Sequence, residues 1–141
     1  PTPMTYIRRY KLKKKLPVSD ILNELGAYKA SSGWRQVPVY LEDKLAGRIL
    51  DLLPLTILGL EPNIFIHTTD SYIPKHFDEM SRTTFLIPVK IGANNVFGVE
   101  EESRQLETGF AYRFNDHFDH YLNNEFCARL VLISVSYLKN R

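Results

Sequence analysis

The histidines of this chain are grouped in the sequence, and their position indicates where a chemical site is expected. All four lie in one part of the sequence: His67, His76, His117 and His120. The sharpest local pattern is His76-Phe77-Asp78. In an extended chain, residues i and i+2 point to the same side. His76 and Asp78 could therefore offer a ring nitrogen and a carboxylate oxygen to one metal ion.

A metal bound by this His-Asp pair needs a third ligand from elsewhere in the sequence, and His120 or His117 can supply it. Two imidazoles and one carboxylate on one face of a metal leave three positions open. Non-haem Fe(II) enzymes use this arrangement to bind a cosubstrate and O2. A surface histidine beside an aspartate is the simpler explanation of the pattern, and a ligand pair of His67 with Asp70 is a further alternative.

Arg129 strengthens the case for a buried polar site. It shares strand parity with four apolar residues, so a regular strand points it inward: Val131, Ile133, Val135 and Tyr137. A guanidinium that faces a core needs an anion, and its planar fork suits a carboxylate. The alternative is an irregular strand start that lets Arg129 reach solvent.

Positions 71 to 137 resemble the double-stranded β-helix core of the Fe(II)- and 2-oxoglutarate-dependent oxygenases. The resemblance is nearest to the aspartyl/asparaginyl β-hydroxylase or prolyl-hydroxylase-like branch. It rests on elements in the family's order: His76-Phe77-Asp78, the strand from Thr83 to Val89, the run from Phe114 to His120, and Arg129 nine positions later. The chain departs from this family in being shorter than most such enzymes.

The resemblance implies that His76, Asp78 and His120 bind Fe(II) as the metal ligands and carry the catalysis. His120 is preferred over His117 because it ends the run from Phe114 that matches the family's distal motif. His117 is then a turn residue or a neighbour of the ligands.

The same resemblance implies that 2-oxoglutarate is the cosubstrate, with Arg129 on its far carboxylate and Arg82 as a second contact. The implied activity is that of a 2-oxoglutarate-dependent dioxygenase, with O2 as the oxidant. It would hydroxylate an unactivated C–H bond of a small-molecule or peptide substrate, in an amino acid or a peptidyl side chain. The role of Arg113, on the strand that leads to the distal histidine, is left open.

Two other classes of function use the same residues. A cupin-like metalloprotein, either an isomerase or a dioxygenase without a cosubstrate, would keep the His and Asp ligands. Arg129 would then have no oxoglutarate to bind. A non-catalytic jelly-roll binding module would carry the histidines as packed or exposed side chains. A metal assay separates the module from the two metalloproteins, and oxoglutarate turnover separates the metalloproteins from each other.

The elements that must position these residues are helices followed by short strands. One predicted helix has Ser19 as its N-cap and stops at Gly26. A second, ended by Pro54, places four apolar residues on one face: Leu41, Leu45, Ile49 and Leu52.

After Pro62 the hydrophobic period changes to two, which predicts six or more strands. They are Ile64 to His67, Thr83 to Val89, Val96 to Val99, Gln105 to Glu107, Phe110 to Phe114, and Val131 to Tyr137. Short strands with turns between them indicate a mainly β protein. The expected fold is a double-stranded β-helix (jelly roll) core with N-terminal helices. It forms a single domain over 1–141, with a strand and helical part at 1–60 and the jelly-roll core with the metal site at 61–141.

The positive charge is confined to one end of the chain. There are 18 Lys and Arg residues against 16 Asp and Glu, yet six of the basic residues lie in the first fifteen positions, which contain no acid. Without those six, twelve basic residues face sixteen acidic ones, a net charge of −4. We expect Arg8 to Lys15 to form an extended edge with solvated charges. Nucleic-acid binding through phosphates is the less favoured alternative.

The composition is typical of a globular protein. With 141 residues, 44% of them apolar and 24% charged, the chain suits one domain with its own core. No apolar run approaches the ~18 residues of a membrane span, so no membrane partner is expected. The single cysteine, Cys127, excludes an internal disulfide and a CxxC zinc site and predicts a cytoplasmic, reducing location.

Overall fold

The structure is a computed structural model that describes residues 5–54 and 61–138. Within these ranges the chain forms ten β-strands, two α-helices and one 3-10 helix. The strands are β1 (Arg8–Lys11), β2 (Arg35–Val39), β3 (Asn63–Thr69), β4 (Ile73–His76), β5 (Arg82–Lys90), β6 (Asn95–Val99), β7 (Glu102–Gln105), β8 (Phe110–Asn115), β9 (His120–Asn124) and β10 (Leu130–Leu138). The helices are α1 (Val18–Leu25), the 3-10 helix (Gly26–Ala30) and α2 (Lys44–Leu50).

The strands form two antiparallel sheets that face each other. One sheet has six strands in the order β1-β8-β5-β10-β3-β2, and the other has four in the order β4-β9-β6-β7. Phe97 and Leu122 of the smaller sheet share a hydrophobic cluster with Phe114 and Leu132 of the larger one. We call the space between the sheets the lumen. The predicted mainly β class and double-stranded β-helix core are confirmed.

The helices cover the outer face of the six-stranded sheet. Helix α1 ends at Gly26, whose φ of 56° favours glycine. Helix α2 begins at Asp43, whose carboxylate accepts a hydrogen bond from the Leu45 backbone N–H at 2.9 Å. Their buried side chains share one core with this outer face: Ile21, Leu25, Leu45 and Ile49.

Both helix predictions are confirmed with shifted bounds. Helix α1 starts at Val18 with Pro17 as its N-cap, two residues before the predicted cap, Ser19. Leu41 lies before α2 and is exposed, because the Asp43 cap starts that helix at Lys44. Leu52 follows the end of the helix and is nevertheless buried.

The six-stranded sheet is buried on both faces. One alternate set of residues packs beneath the helices, including Phe85 and Ile87 of β5 and Val131 and Ile133 of β10. The other set faces the lumen and includes Ser134. The predicted orientation, in which Arg129 and the residues of its parity point to the site, is wrong, because that parity faces the helices. The helices cover the more apolar face, which leaves the more polar one to the lumen.

The strand predictions hold best where the residues are apolar. The predicted strands that begin at Ile64, Thr83, Val96, Phe110 and Val131 are confirmed with small extensions. The strand predicted over Gln105 to Glu107 is wrong, since β7 ends at Gln105. Strand β2 contains Pro38, which is tolerated because β2 lies at a sheet edge. Strands β2, β4 and β9 were not predicted.

The basic N-terminal stretch forms a sheet edge, as predicted. Strand β1 is the outermost strand of the larger sheet, and Arg8, Arg9 and Lys11 are exposed. Strands β1 and β2 thus join the sheet formed by the later strands, and the predicted boundary at residue 60 lies outside the described residues. No helix within residues 5–54 and 61–138 is long and apolar enough to cross a membrane.

Candidate metal centre

Three of the predicted site residues come together at the wall of the lumen. One ligand atom from each of His76, Asp78 and His120 lies within 4.8 Å of the other two. The His120 Nε2 atom is 3.8 Å from Asp78 Oδ2, and the centroids of the two imidazole rings are 4.3 Å apart. Ligands on one metal at bond lengths of about 2.0–2.2 Å stand roughly 3 Å apart, so small side-chain rotations would close the set around an ion.

Two paired strands hold the histidines. His76 on β4 lies directly opposite His120 on β9 in an antiparallel ladder. Asp78 follows two residues after His76, and its backbone N–H donates to the Asp116 carbonyl at 3.0 Å, at the end of β8. The local His-x-Asp pattern and the distant histidine are therefore joined by strand pairing, although neither β4 nor β9 was among the predicted strands.

Backbone carbonyls fix the orientation of both imidazoles. His76 Nδ1 lies 2.8 Å from the Pro74 carbonyl, and His120 Nδ1 lies 2.8 Å from the Phe118 carbonyl. Because a carbonyl oxygen only accepts, each Nδ1 carries the proton and donates. In the neutral form of either ring, the Nε2 atom then has a lone pair available for a metal. This is the usual support of a metal-binding histidine.

The three ligands differ in burial. His120 is 8% exposed, while His76 is exposed and Asp78 is half-buried. Burial lowers the pKa of His120, as does the neighbouring His76, against the opposing effects of the Phe118 hydrogen bond and Asp78. A lowered pKa keeps this imidazole neutral, which is the form that binds a metal.

His117 stands apart from this set. Its Nδ1 atom lies 2.9 Å from the Asp78 backbone carbonyl, and its ring meets Phe77 edge-on at 6.0 Å. It therefore contacts the main chain beside a candidate ligand. The cluster of possible ligand atoms contains His120 and not His117 among the described residues, and the choice of His120 as the distal ligand stays a prediction.

The metal centre opens into a cavity of about 650 Å³ in the lumen. Its lining includes the three candidate ligands together with apolar side chains from both sheets, such as Leu86, Phe97, Phe114, Leu122 and Leu132. Polar side chains form a second part of the wall: His67, Thr84, Asp116, Ser134 and Ser136. A cavity of this size accommodates a small molecule beside the ligands.

Arg82 lines the same cavity and lies beside a buried carboxylate. Its Nε atom is 3.9 Å from Asp116 Oδ2, and its backbone N–H donates to Asp116 Oδ1 at 3.0 Å. Asp116 is 5% exposed, and burial raises its pKa. The Arg82 Nε atom is buried and has no hydrogen-bond partner among the described residues.

Arg129 is placed differently from the expectation that it points into the lumen beside the metal. It is absent from the residues that line the cavity within the described ranges, and its Nη2 atom lies 3.5 Å from Asp70 Oδ2. Arg129 lies one residue before β10. It has the same strand parity as Val131, and residues of that parity face the helices. The predicted contact of Arg129 with oxoglutarate stays untested.

His67 lines the cavity but lies outside the three-ligand set. Its Nε2 atom is 2.7 Å from Ser134 Oγ, and burial lowers its pKa to about 4. Three further residues of the cavity wall were not predicted as site residues: Asp116, Ser134 and Ser136. The available signal was the spacing of Leu132, Ser134 and Ser136 at every second position, which places all three on one face of β10.

The comparisons with known proteins bear on the fold. No protein-family model and no curated protein matches this chain. Among solved structures, the Cupin_2 domain of an XRE family transcriptional regulator from Enterobacter cloacae aligns with a TM-score of 0.54. The alignment covers 77% of this chain and 100% of that one, at 13% identity. The fold is that of the cupins.

Two further structures are similar over most of their length. TT1209 from Thermus thermophilus has a TM-score of 0.55 at 16% identity, covering 84% of this chain and 95% of that chain. The conserved SPY1581 protein of unknown function from Streptococcus pyogenes has a TM-score of 0.51 at 10% identity, covering 99% of this chain and 100% of that chain. At these identities the similarities show the fold alone.

Proposed function

We propose that this chain is a cupin-type metalloenzyme that binds one divalent transition metal at His76, Asp78 and His120 and acts on a small molecule in the cavity. The observation that carries the proposal is the set of three ligand atoms within 4.8 Å of one another. Two of the three are imidazoles with Nδ1 bound to a backbone carbonyl. An isolated surface His-Asp pair would not explain these hydrogen bonds from Nδ1 to backbone carbonyls.

The donor set fits Fe(II) and its first-row neighbours. Two imidazole nitrogens and one carboxylate oxygen on one face form the set used by mononuclear non-haem Fe(II) sites, with room for further ligands. Fe(II) is our first assignment. The metal would supply open coordination positions at which O2 or a polarised substrate oxygen can bind.

The residues of the chain would position the substrate and exclude water. Apolar side chains such as Phe97, Phe114 and Leu132 would surround its hydrocarbon part. Arg82 would hold a negatively charged group, because its buried Nε–H has no hydrogen-bond partner among the described residues. Asp116 would keep Arg82 in place through the backbone hydrogen bond and the ion pair.

Two reaction classes follow from this site. The first is that of a cupin isomerase or a dioxygenase that needs no cosubstrate. The fold and the donor set fit this class as well as they fit the second. The second is the 2-oxoglutarate-dependent hydroxylation implied by the family resemblance. Arg82, rather than Arg129, favours this second class, since it is the arginine that lines the cavity with the ligands.

Cobalt titration tests the metal proposal. Co(II) added anaerobically to the wild-type protein should bind with a stoichiometry of one and give visible d–d bands. Each of His76→Ala and His120→Ala should weaken Co(II) binding at least about a hundredfold, because a direct ligand is lost. The matched control is His117→Ala, which removes a nearby histidine outside the set and should cost at most about tenfold. Equal losses in all three variants would contradict the assignment.

Oxoglutarate titration separates the two reaction classes. Fe(II) and 2-oxoglutarate are added together without O2, and the visible spectrum is recorded. A metal-to-ligand charge-transfer band, followed by succinate production on admission of O2, would support the oxoglutarate-dependent class. An iron-loaded protein with neither signal would leave the cupin isomerase or cosubstrate-independent dioxygenase.

A further inference from the structure

The lumen holds a polar group outside the metal centre that the proposed reaction does not yet use. His67 on β3 and Ser134 on β10 both line the cavity, with His67 Nε2 2.7 Å from Ser134 Oγ. The His67 ring stacks on Trp34 at 5.7 Å between centroids and lies 6.2 Å from the Phe65 ring. We call these four residues the His67 subsite.

The imidazole of His67 has one nitrogen available to a ligand. Ser134 occupies Nε2, while Nδ1 makes no hydrogen bond to any residue within 5–54 and 61–138 and is not among the fully buried unpaired atoms. The histidines of the metal centre use Nδ1 on backbone carbonyls, so His67 differs from both. Burial lowers the pKa of His67 to about 4, so its ring is uncharged at neutral pH.

This environment selects a hydroxyl group. If Nε2–H donates to Ser134, then Nδ1 accepts; if Ser134 donates to Nε2, then Nδ1–H donates. A hydroxyl pairs with either tautomer because it both donates and accepts, whereas a carbonyl only accepts. A carboxylate would find no positive charge on this imidazole. The neighbouring Trp34 and Phe65 favour a hydroxyl carried by an aromatic ring.

We propose that the His67 subsite binds the hydroxyl of a phenolic substrate, with His67 Nδ1 as the hydrogen-bond partner and Trp34 and Phe65 against the ring. The subsite is part of the same cavity as the metal centre. The inference therefore rests on the proposed function and narrows its substrate class to aromatic hydroxy compounds.

Phenol tests the subsite, and fluorobenzene is the matched ring without a hydroxyl. Both probes are titrated by NMR into labelled wild-type protein, once without metal and once loaded with Co(II). The metal-free titration gives each affinity from chemical-shift changes in the cavity. Phenol should shift the His67 ring signals more than fluorobenzene does, because only phenol offers a hydrogen bond to Nδ1.

Variants measure the contribution of the hydrogen bond. The ratio of phenol affinity to fluorobenzene affinity should fall about fivefold in His67→Phe, which loses one neutral hydrogen bond. His67→Gln keeps a neutral donor and acceptor and should retain most of the ratio. Phe65→Leu is the control: it should weaken both probes by a similar factor and leave the ratio unchanged.

The outcomes separate this inference from the proposed function. An equal response of the His67 signals to both probes in the wild-type protein overturns the subsite, whether or not His67→Phe folds. A ratio unchanged in both His67 variants overturns it as well. Failure of Co(II) to bind in the loaded sample overturns the metalloenzyme instead, and the metal-free phenol titration still decides whether the subsite exists.

Discussion

The two faces of the six-stranded sheet differ in what they bury. The face beneath the helices is apolar, with Ile87 and Ile133 0% exposed. The face toward the lumen carries hydroxyl and imidazole groups beside its apolar residues, among them Ser134, His67 and Thr84. The same strands supply both faces, because successive residues of a strand alternate sides.

The difference shows how one sheet can stabilise the fold with one face and form a ligand-binding site with the other. The lumen-facing polar groups bond to one another: Thr84 Oγ1 lies 2.9 Å from Ser136 Oγ, and His67 Nε2 lies 2.7 Å from Ser134 Oγ. Such bonds reduce the cost of burying polar groups, yet they contribute less stability than a dry core. We therefore expect folding to depend mostly on the helix face and ligand binding on the lumen face.

The largest expected effect is on stability. Ile133→Ala opens a cavity beneath the helices and should lower the free energy of unfolding by about 2–4 kcal/mol. Its neighbour on the other face, Ser134→Ala, should cost about 1 kcal/mol, the value of one hydrogen bond. Urea unfolding of both variants measures the difference. Equal losses would remove the distinction between the two faces.

The next effect is on the pH dependence of stability. A histidine in the unfolded chain titrates near 6.5, whereas burial lowers the pKa of folded His67 to about 4. Between these values the unfolded chain binds the proton and the folded one does not. The contribution of His67 to the free energy of unfolding is therefore fully present above about pH 6.5, and it is lost as the pH falls from that value towards 4.

The size of that effect is roughly 3 kcal/mol, since each pKa unit corresponds to about 1.4 kcal/mol. Replacement of His67 by Phe should flatten the stability curve between about pH 6.5 and pH 4 by that amount. Urea unfolding of the wild type and the variant at several pH values gives both curves. Parallel curves would show that His67 is not buried as an uncharged group.

A smaller effect is expected for anion binding in the cavity. Arg82→Gln should weaken the binding of succinate to the Co(II)-loaded protein about tenfold, because a charge-assisted hydrogen bond is lost. Arg129→Gln, which removes an arginine outside the cavity lining, is the matched control and should change the affinity little. Calorimetry of both variants compares the two. A larger loss in Arg129→Gln would restore the role first predicted for Arg129.

The smallest effect is expected at the basic N-terminal stretch. Lys13, Lys14 and Lys15 are exposed and lie beyond strand β1. Replacing all three with Gln should leave Co(II) binding and oxoglutarate turnover, if present, nearly unchanged. Binding of nucleic acid that weakens with added salt in the wild type and is lost in this variant would instead favour the phosphate alternative.

The sequence predicted the parts of this fold that depend on local pattern. The apolar alternation of β5 and β10 and the apolar spacing along α2 were sufficient to place those elements, whereas the predicted cap of α1, Ser19, lies inside that helix. The pairing of His76 with His120 came from the family resemblance, since no local pattern joins positions that far apart.

The direction of the sheet faces could not be predicted from alternation alone. A strand buried on both sides gives two inward faces, and parity does not say which one the helices cover. This ambiguity placed Arg129 in the lumen in the prediction. The polar residues Ser134 and Ser136, on the opposite parity, were the signal for the lumen face.

The proposed function requires a metal ion held by three residues at the lumen wall. Anomalous diffraction at the cobalt absorption edge, from crystals of the Co(II)-loaded protein, locates the ion independently of any activity. We expect one peak within about 2.0–2.3 Å of donor atoms from His76, Asp78 and His120. A peak held by His117 or by His67 with Asp70, or no peak in crystals that contain bound cobalt elsewhere, would contradict the proposed metal centre.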